Sequence, residues 1–169
     1  QKNHLLLNDA ILMLQKKGLN IVVIIIGGKR GNVSELIMKK IYESRNDRLL
    51  FLGEVNNPTD YLFLSDYFIL SSVYEGMPIS LIEAFACSCI PISTPVGGIP
   101  EMINNDGFLS KSLLVEDFVD SIQMAIEATD DTKQKILENN LKKYHDLFSI
   151  SSTAKNYLDY YNKVYKNKL

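Results

Sequence analysis

Apolar positions along the chain change period several times, and each change marks a new element. Leu5, Leu6, Ile11, Leu12 and Leu14 recur at helical spacing until Gly18 stops them. The stretch "NIVVIIIGG" that follows is an unbroken β-branched run ending in glycines. That is the character of a strand buried on both faces of a parallel sheet. Val33 to Tyr42 returns to a helical stripe through Leu36, Ile37 and Ile41, and "RLLFLG" is a second strand. Asn57 as cap and Pro58 in the first turn open another helix. "DYFILSS" reads as a third strand, Pro78 to Cys87 as a helix, "IPIST" as a fourth strand, and "GGIPEMI" as a glycine turn leading into a short helix. From there the pattern is helical over Val115–Ala128, Thr132–Phe148 and Ser151–Lys166.

Strands alternating with helices, with no repeat or low-complexity linker between them, predict an α/β fold. The expected architecture is a Rossmann-like, doubly wound parallel sheet flanked by helices, followed by a helical C-terminal segment. The 169 residues, 46% of them hydrophobic, suit one domain over 1–169. Ligands of such folds sit beyond the carboxyl ends of the strands, so "GGKRG", "GEVNNP", "SSVYEGMP" and "TPVGGIP" are the loops to inspect.

Charge and cysteine content narrow the classes. A formal net charge of −2 gives no general affinity for nucleic-acid phosphates. Cys87 and Cys89, with only His4 and His145 besides, are too few and too badly spaced for a zinc site, and a bridge between them would be strained. They read as reduced, packed thiols of a cytosolic protein. No metal site is expected. The longest plainly apolar run, Ile21 to Ile26, is far too short to span a bilayer. Gln1 is not an initiator methionine and a helical pattern begins almost at once, so the chain reads as a piece of a longer protein.

"EGMPISLIEAFACSC" concentrates the candidate chemistry. Ser80-x-x-Glu83 fits a capping box, in which Glu83 would reach back to the Ser80 amide. If the helix instead starts near Pro78, Glu83 lies more than a turn inside it, among Leu81, Ile82, Ala84, Phe85 and Ala86. A buried, unpaired carboxylate there would cost several kcal/mol, so it would need donors such as a ligand's hydroxyls. Both readings stand at this point. The amides of Met77, Ile79 and Ser80 would point out of the helix start, where the dipole favours a phosphate. Gly76 permits a tight turn or close approach of a ligand. An acid, Glu75, before an anion-binding helix end, and a second acid within the helix, match a sugar diphosphate carried on a nucleoside.

Ser72, Glu75, Gly76, Glu83, Ala84, Pro91, Gly97, Gly98 and Glu101 also stand in register with a known pattern. "SSVYEGMPISLIEAFACSCIPISTPVGGIPEMI" resembles the signature of the family-four retaining glycosyltransferases, which have the two-domain GT-B fold. The resemblance covers roughly residues 2 to 128. It implies that this is the C-terminal, donor-binding domain, with the acceptor site and a histidine near the reaction centre on an N-terminal domain outside the chain. Glu75 would then meet the transferred sugar, and the Gly76, Met77, Pro78, Ile79 and Ser80 backbone would hold that sugar and the diphosphate. Glu83 would accept from the ribose. Val55 matches the position whose backbone meets the base, Lys2 resembles the lysine of an R-x4-K phosphate pair, and Gly27 and Gly28 would line the nucleotide cleft. Members often carry glycine where this chain has Pro78, which removes one amide.

The implied enzyme is a bacterial hexosyltransferase of polysaccharide biosynthesis. It would use a nucleotide-sugar, most often a UDP-sugar, as substrate, with no cofactor and no obligatory metal. Its acceptor would be a glycan or a lipid-linked sugar. A cytoplasmic location, with peripheral association at the inner membrane face, goes with such acceptors. The alternatives are a non-catalytic nucleotide-sugar-binding domain and a nucleotide-sugar epimerase. "GGKRG" is not a dinucleotide fingerprint. His4 and His145 read as surface residues, and Lys155, Lys163, Lys166 and Lys168 as a solvated helix face.

Overall fold

A computed structural model describes residues 1–28 and 31–166, apart from the side chains of 31–34. The elements run α1 (His4–Lys16), β1 (Val23–Ile26), α2 (Gly31–Glu43), β2 (Leu49–Gly53), α3 (Pro58–Phe63), β3 (Tyr67–Leu70), α4 (Ile79–Ala86), β4 (Ile90–Ser93), α5 (Ile99–Ile103), β5 (Phe108–Leu109), α6 (Val115–Glu127) and α7 (Asp130–Lys143). A π-helical turn at Tyr144–Phe148 then leads into α8 (Ile150–Lys166). Every strand pairing is parallel: β1 with β2, β3 with β4, and β4 with β5.

Helices cover both faces, and each side has its own core. Leu7, Ala10, Ile11 and Leu14 of α1 pack with Phe118, Val119 and Ile122 of α6, and Ile92 of β4 reaches the same cluster. On the opposite side Leu81 and Phe85 of α4 pack with Ile99, Met102 and Ile103 of α5 and with Leu70. Fully burying one such side chain contributes about 1.5–3 kcal/mol. Lys143 fastens the α7 end to α5: its ammonium donates to the carbonyls of Met102 and Ile103 and pairs with Asp106 at 3.1 Å. A cation on the last carbonyls of a helix satisfies acceptors that have no partner inside it.

Several expectations need correction. The sheet is not continuous: β1–β2 and β3–β4–β5 are separate sheets. β4 is buried at every residue, as an unbroken apolar run requires. β1 is not, because its edge opens on a groove, and Ile24 is 44% exposed. The helix expected over Thr132–Phe148 ends at Lys143. The amide of Ser149 closes on the carbonyl of Tyr144 at 2.8 Å, which widens the last turn to π geometry. β5, two residues long, has no sequence counterpart because it is too short to show a period. His4 is not a free surface residue: its ring packs edge-on to Phe51 at 6.1 Å, and burial lowers its pKa. His145 is exposed, and so are Lys155, Lys163 and Lys166 of α8, a helix with no buried residue. Lys168 lies outside the described residues.

Both cysteines are free and buried. Cys89 donates to the carbonyl of Leu62 at 3.1 Å, and burial, with the charges of Cys87 and Asp66, pushes its thiol up to about 12. Such a thiol packs and does not react.

Candidate functional site

The carboxyl ends of the strands gather one cluster of polar groups. β3 runs into Ser71 and Ser72, both buried, and the chain then turns outward through Val73 and Tyr74 to Glu75. Glu75 is only 6% exposed, and one of its oxygens accepts from Lys2 and from the Ser72 hydroxyl, each at 2.7 Å. Burial raises the pKa of this carboxyl. The hydrogen bonds from Lys2 and Ser72 and the lysine's charge outweigh it, and the net shift is downward. Glu75 is therefore held as a carboxylate.

The Glu75 loop is fixed mainly by backbone. Thr94, fully buried beyond β4, donates its hydroxyl to the Ser72 carbonyl at 2.6 Å. The Gly98 amide donates to the Gly76 carbonyl at 3.0 Å. Gly97 has φ +56°, and a Cβ there would stand 1.6 Å from the Glu75 carbonyl oxygen. This approach requires glycine on both counts. Lys2 is held in turn: Ser71 donates to its carbonyl at 2.7 Å, and the Val73 amide donates to the Gln1 carbonyl at 2.9 Å.

Gly76, Met77 and Pro78 lead into α4. A Cβ on Gly76 would meet nothing within 4 Å, so the space beside it is open. Pro78 is not in the first helical turn as expected. It is the capping residue, with φ −69° and ψ 117°, because its ring fixes φ while ψ stays extended. The Met77 amide accordingly belongs to the loop. Those of Ile79 and Ser80 open the helix without an intrahelical acceptor.

Glu83 lies more than a turn inside α4, as the second reading of the sequence has it, but it is not buried there. It makes no capping bond to Ser80, and it is exposed, so no desolvation cost applies. Its side of α4 faces a groove that Ser80 and Lys2 also line, and among the described residues its carboxylate has no hydrogen-bond partner, while its backbone carbonyl accepts from the Cys87 amide at 3.0 Å. Gly27 and Gly28 lie exposed just past β1, with φ +140° at Gly27, and the Gly27 amide bonds the Gly53 carbonyl at 2.8 Å. Val55, half-buried, follows the end of β2. Lys29 and Arg30 of "GGKRG" lie outside the described residues. The link the sequence does not reveal is Lys2 to Glu75, 73 positions apart. Among the described residues no three His, Cys, Asp or Glu side chains stand together as a metal site.

A parallel α/β domain with a buried, lysine-paired carboxylate and an open helix N-terminus beyond its strand ends has the form of a ligand-binding α/β domain. The chain is a member of the glycosyl transferases group 1 family, whose model matches residues 1–144. It is 32% identical over 163 residues to the N-acetylgalactosamine-N,N'-diacetylbacillosaminyl-diphospho-undecaprenol 4-alpha-N-acetylgalactosaminyltransferase of Campylobacter jejuni, an alignment covering 94% of this chain and 43% of the relative. Its fold resembles a glycosyltransferase of Rickettsia africae with TM-score 0.85 and 23% identity, over 98% of this chain and 45% of that one. HepE of Anabaena, solved with UDP and glucose, matches at TM-score 0.81 and 18% identity, over 95% and 45%. The chain thus spans under half the length of these proteins. The expected family and α/β fold class are the ones found, and the epimerase and non-catalytic alternatives are not favoured.

Proposed function

We propose that this chain is the donor-binding half of a retaining glycosyltransferase that moves a hexose from a UDP-sugar to a glycan or lipid-linked acceptor. The observation that carries the reading is Glu75. It is a carboxylate kept ionised by Lys2 and Ser72 on a loop whose backbone is pinned by Gly97 and Gly98, one short turn before the free N-terminus of α4. Such an acid is pre-positioned to accept from sugar hydroxyls, while the Ile79 and Ser80 amides meet the diphosphate. Lys2 is half-exposed and has further N–H donors to offer the phosphates. Glu83, exposed and with its carboxylate unpartnered among the described residues, takes the ribose. The UDP and glucose named with the Anabaena structure, and the diphospho-undecaprenol in the name of the Campylobacter relative, are the donor and acceptor classes adopted here. Stabilisation of the leaving diphosphate rests on the helix terminus and Lys2, without a metal.

Calorimetry with UDP and with UDP-glucose tests the assignment. Glu83→Gln weakens both by about 1.5 kcal/mol, the low end for hydrogen bonds to a charged group, because Glu83 is already solvated. Glu75→Gln weakens the UDP-sugar and leaves UDP nearly unchanged. Equal loss of UDP in both variants contradicts the two roles.

A further inference from the structure

One ammonium sits where the far ends of α4 and α5 meet. Lys143 of α7 donates to the carbonyls of Met102 and Ile103 at 2.9 and 3.0 Å. It stands 3.1 Å from the Asp106 carboxylate and 5.5 Å from the centre of the Phe85 ring. Its three N–H donors are thereby all used. The anion is held as well. Asn139 donates to the Asp106 carboxylate at 2.7 Å, and Asn140, fully buried, donates to the Asp106 carbonyl at 2.8 Å. The Lys143 and Asp106 side chains are 16% and 19% exposed, whereas Lys142 beside them is 75% exposed and pairs with Asp146 one turn on. An ion pair so far out of water adds little net stability, because desolvation offsets the attraction. What it supplies is a single arrangement of the parts it joins.

Those parts flank the Glu75 loop. α5 is only five residues long, and its two ends have different partners. At its start Gly97 lies against the Glu75 carbonyl, and the Gly98 amide donates to the Gly76 carbonyl. At its end are the two carbonyls that Lys143 grips. α4 begins where the loop finishes, and its Phe85 shares a core cluster with Ile99 and Ile103 of α5 under the same ammonium. We infer that Lys143 is a positioning residue for Glu75: by clamping the far ends of α5 and α4 it fixes where their near ends hold the loop, and so where the carboxylate lies against Ser72 and Lys2. A close-packed interior transmits strain, so a slip of this short helix at Met102 and Ile103 reaches Gly97 and Gly98. A misplacement of about 1 Å is enough to be felt at a binding acid. The positioning stands on these contacts alone. Its consequence for sugar binding rests on the donor role proposed above for Glu75.

Carboxyl carbon NMR of Glu75, with calorimetry against UDP and UDP-glucose, tests this in Lys143→Met, Lys143→Arg and Lys142→Met. Lys143→Met loosens the bonds that Glu75 accepts from Ser72 and Lys2, so the Glu75 titration midpoint moves upward, and the Gly98 amide resonance shifts as its bond to Gly76 changes. UDP-glucose binds at least about threefold more weakly, the scale of one weakened hydrogen bond, while UDP is nearly unchanged. Lys143→Arg keeps the cation and its donors and restores both readouts. Lys142→Met removes the same charge one residue away and alters neither. A Glu75 midpoint that stays put in Lys143→Met while the melting temperature falls overturns the inference, since the clamp then only stabilises. An equal shift in Lys142→Met also overturns it, by assigning the effect to charge at a distance. If Lys143→Met does not fold, Asn139→Ala, which loosens Asp106 alone, decides the matter: a smaller upward shift supports the clamp and no shift overturns it. Failure of the unaltered chain to bind UDP-glucose contradicts the donor role instead, and the Glu75 midpoint still decides the positioning.

Discussion

Lys2 and Glu75 show what a single ion pair decides. The lysine's bond and charge overcome a burial that alone would raise the carboxyl pKa, so the folded-state value lies below the ordinary 4.5. A lowered carboxyl pKa adds stability that is full above the unfolded value and is lost as pH falls through the folded one, here in the acid range below 4.5. Removing the cation in Lys2→Met leaves burial opposed mainly by Ser72, and the Glu75 midpoint moves upward. Carboxyl carbon NMR titration reads this directly; an unchanged midpoint would mean that Lys2 does not hold the charge. Glu75 was legible from Ser72, Gly76 and the glycines downstream. Its lysine partner is not, because a contact across 73 residues leaves no local pattern. The apolar neighbours of Glu83 suggest burial for a residue inside that helix, yet they belong to other sides of α4, and Glu83 itself faces the groove.

Among elements, the glycine turn before α5 and the loop before α4 act as one unit. Gly97→Ala forces a left-handed backbone and a Cβ onto the Glu75 carbonyl, so thermal or urea unfolding should show a loss of at least about 2 kcal/mol. Gly76→Ala meets no atom and should alter stability by under about 1 kcal/mol, while weakening UDP-glucose binding through the space it fills. If the alanine at 76 binds UDP-glucose as tightly as glycine does, that space is not the ligand's. Strand and helix order were legible because apolar runs and the 3.6-residue stripe persist over many positions. The end of α7 was not, since the Ser149 to Tyr144 bond that widens it is a backbone event without a side-chain signal. The break between the sheets was equally hidden, because a strand's sequence reports its burial and not which neighbour it has.

For the whole molecule, the α1–α6 cluster supports both sheets from one side, and Phe118 is buried completely within it. Sugar transfer needs an acceptor beside the donor, and the chain spans 43% of its Campylobacter relative. Purified residues 1–169 should therefore bind UDP-sugars yet release no glycosylated product in a radiolabelled-sugar transfer assay. Turnover at the rates of ordinary enzymes, about 1 per second or more, would show that this half suffices.

The backbone fastening of the Glu75 loop separates aim from appearance. Gly98, Thr94 and the Gly97 turn grip main-chain atoms, while Val73, Tyr74, Met77 and Ile79 stand 47%, 69%, 62% and 71% exposed around them. Exchanging those four side chains redraws the surface a hexose would feel, its bulk, polarity and room for an N-acetyl group, while the carboxylate keeps its bearing. On the proposed donor role, donor preference is therefore open to change at these four positions one substitution at a time, with the acid kept in place.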